Sequence, residues 1–112
     1  MSTFFRLSLL FFVLSESAQA ITTDNNYLQL KINCVQCHAD SSTNAPLIGD
    51  TKRWIDIFKK GKIEILKSVY LGKKGMPPLG YCSSCSQQDF INLIQLMSGP
   101  SAAEQFDLTM SN

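Results

Sequence analysis

An all-α domain of four to five helices is the fold this sequence predicts, and three observations predict it. Apolar residues recur at helical spacing in four stretches, each with its own start or stop signal. No stretch alternates apolar and polar residues as a half-buried strand does. The run Cys34-Val35-Gln36-Cys37-His38 sets two thiols three positions apart with an imidazole beside them, and on a helix this spacing brings both sulfurs to one face.

The chain of 112 residues opens with a leader-like segment. Arg6 precedes the apolar run Leu7 to Leu14, and Ala18-Gln19-Ala20 has the small-x-small form of a secretory cleavage site. The run is far short of the ~20 residues that span a bilayer as a helix, so a cleaved signal over residues 1–20 is expected, with no stable membrane insertion of the product. Residues 21–100 then form one small domain, a size that usually leans on a disulfide, metal or cofactor for stability. Residues 101–112 read as a loosely ordered tail.

Within the domain, Asp24 is a candidate N-cap for a first helix reaching Cys37, with Tyr27, Leu28, Leu30 and Ile32 as apolar positions that do not make a clean stripe. Residues Ala39 to Pro46 are small and polar and read as a loop. Thr51 caps a second helix from Lys52 to Lys60, carrying Trp54, Ile55, Ile57 and Phe58 and stopped by Gly61. A third runs from Lys62 to Leu71 with Ile63, Ile65, Leu66, Val69 and Tyr70 inward and Gly72 as its stop. Three glycines and two prolines make residues 72–81 an irregular loop. Ser86-Gln87-Gln88-Asp89 resembles a capping box, and Phe90, Ile91, Ile94 and Met97 come after it at helical spacing until Gly99-Pro100, giving a last helix expected to pack across the first.

The Cys34–His38 run has the form of a covalent haem-attachment site: two thiols add to the vinyl groups of one porphyrin, and the adjacent histidine ligates iron. A thioredoxin-like dithiol needs a βαβ setting that is not present. A zinc site drawn from Cys34, Cys37, Cys82 and Cys85 has 44 residues between its pairs, against roughly 15–20 in short zinc modules, and leaves His38 unexplained. His38 is the only histidine, which excludes a bis-histidine iron within one chain. Methionine is then the leading second ligand, and of Met76, Met97 and Met110 only Met76 sits in a loop. Gly72-Lys73-Lys74-Gly75 gives that loop a flexible approach and Pro77-Pro78 a stiff exit. If Met76 is merely a loop residue, the sixth iron position is open and the reading moves to a haem enzyme or gas sensor. Cys82-Ser83-Ser84-Cys85 lacks a following histidine. In an oxidising compartment it forms a small disulfide ring or, alternatively, an exchangeable dithiol.

With these residues in place the chain resembles the class I c-type cytochromes, and more closely the cytochrome c5 family, from Tyr27 to Met97. The resemblance rests on CVQCH, on APLIGD at Ala45 to Asp50 followed by Trp54, and on GMPPLGYCSSCS from Gly75 to Ser86. It implies the small cytochrome c fold around one haem c, thioether links at Cys34 and Cys37, axial ligation by His38 and Met76, and a Cys82–Cys85 disulfide. It also implies that the Pro46 carbonyl accepts the other ring N–H of His38. Trp54 is either a haem-edge residue that hydrogen-bonds a propionate or an ordinary core tryptophan.

The function these readings imply is a periplasmic, monomeric one-electron carrier rather than an enzyme. No carboxylate pair, nucleophile or distal base marks a catalytic centre. Eight Lys/Arg against Asp56 and Glu64 give Lys52 to Lys74 a local charge of +6, while Asp89, Glu104 and Asp107 are the only charges from Ser86 onwards. Some of these lysines are expected to steer an acidic redox donor or acceptor. Export and a net charge of only +1 disfavour nucleic acid. A third reading is an electron-entry subunit of a larger redox complex, with residues 101–112 as its contact.

Overall fold

The computed structural model describes residues 24–110, so the signal segment and its cleavage site lie outside the described residues. Five α-helices account for most of the described residues, and no β-strand occurs among them.

Helix α1 covers residues 24–38, and Asp24 already lies within it rather than standing before it as a cap. It is α-helical over 24–29, widens into a π turn over Leu30–Cys34, and is α-helical again over Val35–His38. The Val35 N–H reaches back five residues to the Leu30 carbonyl, and Asn33 Nδ2 donates to the Gln29 carbonyl and to Gln29 Oε1 at 3.2 and 2.8 Å. A π turn inserts an extra residue and rotates the rest of the helix about its axis, which is why the apolar stripe is broken. Leu30 and Cys34 pack against the core, while Tyr27, Leu28 and Ile32 are more than half exposed.

After α1, a 3-10 turn over Ser41–Thr43 is capped by Asp40. Helix α2 spans Thr51–Phe58 and its N-cap is Asp50, whose carboxylate accepts from Arg53 N, so the helix starts one residue earlier than Thr51 predicts as a cap. Helix α3 spans Lys62–Leu71 between Gly61 and Gly72, as the sequence predicts, but of the residues expected inward Ile63 and Tyr70 are 79% and 39% exposed. A 3-10 turn at Pro78–Tyr81 packs on α3 and touches the π turn of α1. Helix α4, Gln87–Ser98, opens with a complete Ser86/Asp89 capping box.

The expected loose tail is instead helix α5, Pro100–Met110. Gly99, at φ +81°, turns the chain out of α4, and Pro100 then occupies a first-turn position that does not need its missing N–H. Ala102 and Phe106, four residues apart on one face, are fully buried. Helix α5 packs against both α2 and α4. The core therefore has Trp54 and Phe58 on one side, the α4 residues Phe90, Leu93, Ile94 and Met97 on another, and Phe106 between.

Candidate haem site

His38 ends α1 and is 7% exposed. Its Nδ1 lies 2.7 Å from the Pro46 carbonyl oxygen. A carbonyl can only accept, so Nδ1 carries a proton, and in the neutral ring Nε2 then presents its lone pair, the form in which an imidazole binds a metal. The same hydrogen bond strengthens donation from the ring and fixes its orientation.

The segment that supplies this carbonyl is held carbonyl by carbonyl. Arg53 donates through Nη2 to Asn44 O at 2.6 Å and through Nη1 to Ala45 O at 3.1 Å, and Trp54 Nε1 donates to Leu47 O at 2.8 Å. Four consecutive carbonyls, 44 to 47, thus accept from Arg53, Arg53, His38 and Trp54. The Ile48 N–H closes the loop onto the His38 carbonyl, and Gly49 N–H ties it to the Met97 carbonyl of α4. Asp40 accepts from Ser42 N, and this bonding holds its carboxyl below the usual carboxylate range.

Trp54 is a core residue at 4% exposure, and its side-chain N–H donates to Leu47 O. Its ring lies against that of His38, with centroids 6.0 Å apart and planes 25° from parallel. Arg53 was not legible as a site residue, since in the sequence it is one more cation in a basic stretch.

Cys34 and Cys37 are both free, the first half-buried and the second exposed. Burial pushes the Cys34 thiol up to about 11, a shift that disappears once the sulfur is a thioether and has no proton. Met76 is half-buried and packs against the core that Cys34 also borders. Two backbone hydrogen bonds between Lys73 and Met76 close the turn before it, and the Met76 methyl sits over Gly80, 3.5 Å from where a Cβ would stand. Cys82 and Cys85 form a disulfide, with Gln29 Oε1 of α1 lying 3.4 Å from Cys82 Sγ. With those two sulfurs joined, no group of three His, Cys, Asp or Glu side chains gathers among the described residues as a metal cage.

Backbone strain concentrates around these two loops. The non-glycine residues at positive φ among the described residues are Asn44, beside the Pro46 segment, and Lys74, Leu79 and Tyr81, all in the Met76 loop. Such conformations cost about 1–3 kcal/mol each and persist where the surroundings over-determine them, which is typical of ligand-presenting segments.

The residues present therefore fit a covalently held haem: two free thiols and a proton-assigned imidazole on one helix end, and a soft thioether in a pinned loop. Comparison with known proteins agrees. Residues 24–97 match the family model described as cytochrome C oxidase, cbb3-type, subunit III. The chain is 38% identical to cytochrome c5 of Ectopseudomonas mendocina over 69 residues, 60% of this chain and 79% of that relative. It is 35% identical to cytochrome c5 of Azotobacter vinelandii over 68 residues, 59% of this chain and 82% of that relative. No solved structure matches it. The chain belongs to the class I c-type cytochromes, in the cytochrome c5 family. Its cofactor is accordingly one covalently bound haem c.

Proposed function

We propose that the protein is an exported, periplasmic one-electron carrier whose iron is held between His38 and Met76. The observation that carries this reading is the His38–Pro46 hydrogen bond, which leaves Nε2 as the donor in the one CxxCH segment of the chain. The haem supplies the Fe(III)/Fe(II) couple. His38 and its carbonyl partner set the strength of one axial donor, and the thioether of Met76, a soft ligand, favours the ferrous state and a high potential. Cys34 and Cys37 make the attachment permanent, and the Cys82–Cys85 ring with Gly72 at the other end pins the Met76 loop. No helix among the described residues is long and apolar enough to cross a membrane.

The test is intact-mass and haem analysis of protein exported from its own signal, followed by redox titration. A mass equal to residues 21–112 plus one haem, with a reversible one-electron wave, is expected. A haem-free mass or a retained leader contradicts the reading.

A second reading has one observation in its favour: the matched family model is described as an oxidase subunit. In that case the protein is an electron-entry subunit, and it migrates on size exclusion of native extract in a large complex rather than at its own size.

A further inference from the structure

Four aromatic rings run in series from the candidate iron ligand to the C-terminal helix. His38 meets Trp54 at 6.0 Å, Trp54 meets Phe58 at 5.9 Å, and Phe58 meets Phe106 at 4.6 Å between centroids. Phe58 and Phe106 are fully buried. The matched family region ends at residue 97, before α5 begins, so Phe106 lies outside the part of the chain that defines the family.

We propose that α5 is a positioning element of the haem site, with Phe106 acting through Phe58 and Trp54 to set the orientation of the His38 ring. In-plane, His38 is fixed by its bond to Pro46; the face of the ring is backed by Trp54. Trp54 is itself restrained at its N–H by Leu47, and its ring also packs against that of Phe58. Phe58 depends in turn on Phe106. Interiors are close-packed and transmit a change of volume to their neighbours, so a void at Phe106 is relieved by movement along this series. Helix α5 is held for the role by α4, through the Gln95–Asp107 hydrogen bond, and by the fully buried Ala102.

The proposal rests on His38 as iron ligand, and the test separates the two ideas. It compares full-length holoprotein carrying Phe106→Ala or the milder Phe106→Leu with Val69→Ala, a buried change on α3 outside the ring series. Three readouts are taken: melting temperature, the iron-shifted His38 ring resonances of the ferric protein, and hydrogen exchange of the His38 Nδ1–H. All three variants are expected to melt lower. Only the Phe106 variants are expected to shift the His38 resonances and speed Nδ1–H exchange, Phe106→Leu less than Phe106→Ala. Where Phe106→Ala does not accumulate, Phe106→Leu alone decides. Wild-type His38 signals in a destabilised Phe106 variant, or equal shifts in Val69→Ala, overturn the proposal. A wild-type protein without iron-shifted His38 resonances sinks the ligand assignment instead, and the Nδ1–H exchange then still decides the coupling, because the Pro46 bond exists without iron.

Discussion

Trp54 joins two restraints on one side chain: its N–H fixes the loop that presents the Pro46 carbonyl, and its face supports His38. Trp54→Phe keeps an aromatic ring and removes the hydrogen bond to Leu47. It is expected to cost about 1–2 kcal/mol in chemical denaturation, because a partly buried carbonyl loses one donor, while haem attachment is retained. A loss of haem would instead mean that Trp54 contacts the cofactor directly. Cys34, Cys37 and His38 are singled out by their spacing alone, which the proposed thioether attachment requires. The Pro46 partner came only through family resemblance, because a carbonyl eight residues away is set by the loop path and not by any residue type. Arg53 was hidden for the same reason: its partners are backbone oxygens of Asn44 and Ala45, which leave no mark on the sequence.

Among the elements, the Met76 loop depends on one glycine. Gly72 has φ +76° and ψ 162°, a region open essentially to glycine, and a Cβ there would stand 2.7 Å from the Met76 carbonyl and 2.9 Å from Pro78 N. Gly72→Ala is expected to destabilise the protein by at least ~2 kcal/mol and to perturb the ferric ligand field in the same variant, because relief of the clash moves the backbone of Met76 itself. Denaturation with parallel absorption spectra measures both. A full-strength wild-type ligand field in Gly72→Ala would disconnect this loop from the iron. Helices α3 and α4 were legible because glycine stops and a capping box bracket their apolar residues. Helix α5 was not, because Gly99-Pro100 reads equally as an end and as a beginning, and Ala102 and Phe106 alone make a thin apolar face. In α1, the π turn hides the period that sequence reading relies on.

For the molecule as a whole, charge is divided along the chain. Basic residues gather from Lys52 to Lys74, and acidic ones are the only charges from Ser86 onwards. Exposed ion pairs take up Lys52 and Lys59 with Asp56, and Lys67 with Glu64; the two lysines hold the Asp56 carboxyl below its usual range, yet such pairs contribute little to stability. Lys73 and Lys74 sit exposed on the turn that leads into Met76, so two of the basic residues border a loop proposed to reach iron. Electron transfer to an acidic partner is expected to slow as ionic strength rises through the range where the screening length falls below ~10 Å, and to slow at low salt in Lys73→Glu/Lys74→Glu. Stopped-flow mixing reads the rate, and a rate indifferent to salt and to both charge reversals would exclude steering by these lysines.

Joint ligation by His38 and Met76 is what makes the proposed centre a six-coordinate electron-transfer iron, and Met76→Ala removes one of the two ligands. The ferric spectrum and midpoint potential of that variant are compared with those of the unaltered protein. Loss of the wild-type ligand field, a lower potential and new affinity for small exogenous ligands are expected, with the haem still covalently attached through Cys34 and Cys37. An unchanged spectrum and potential would contradict this ligation, leaving the sixth position open or otherwise filled and moving the protein towards gas binding or haem catalysis.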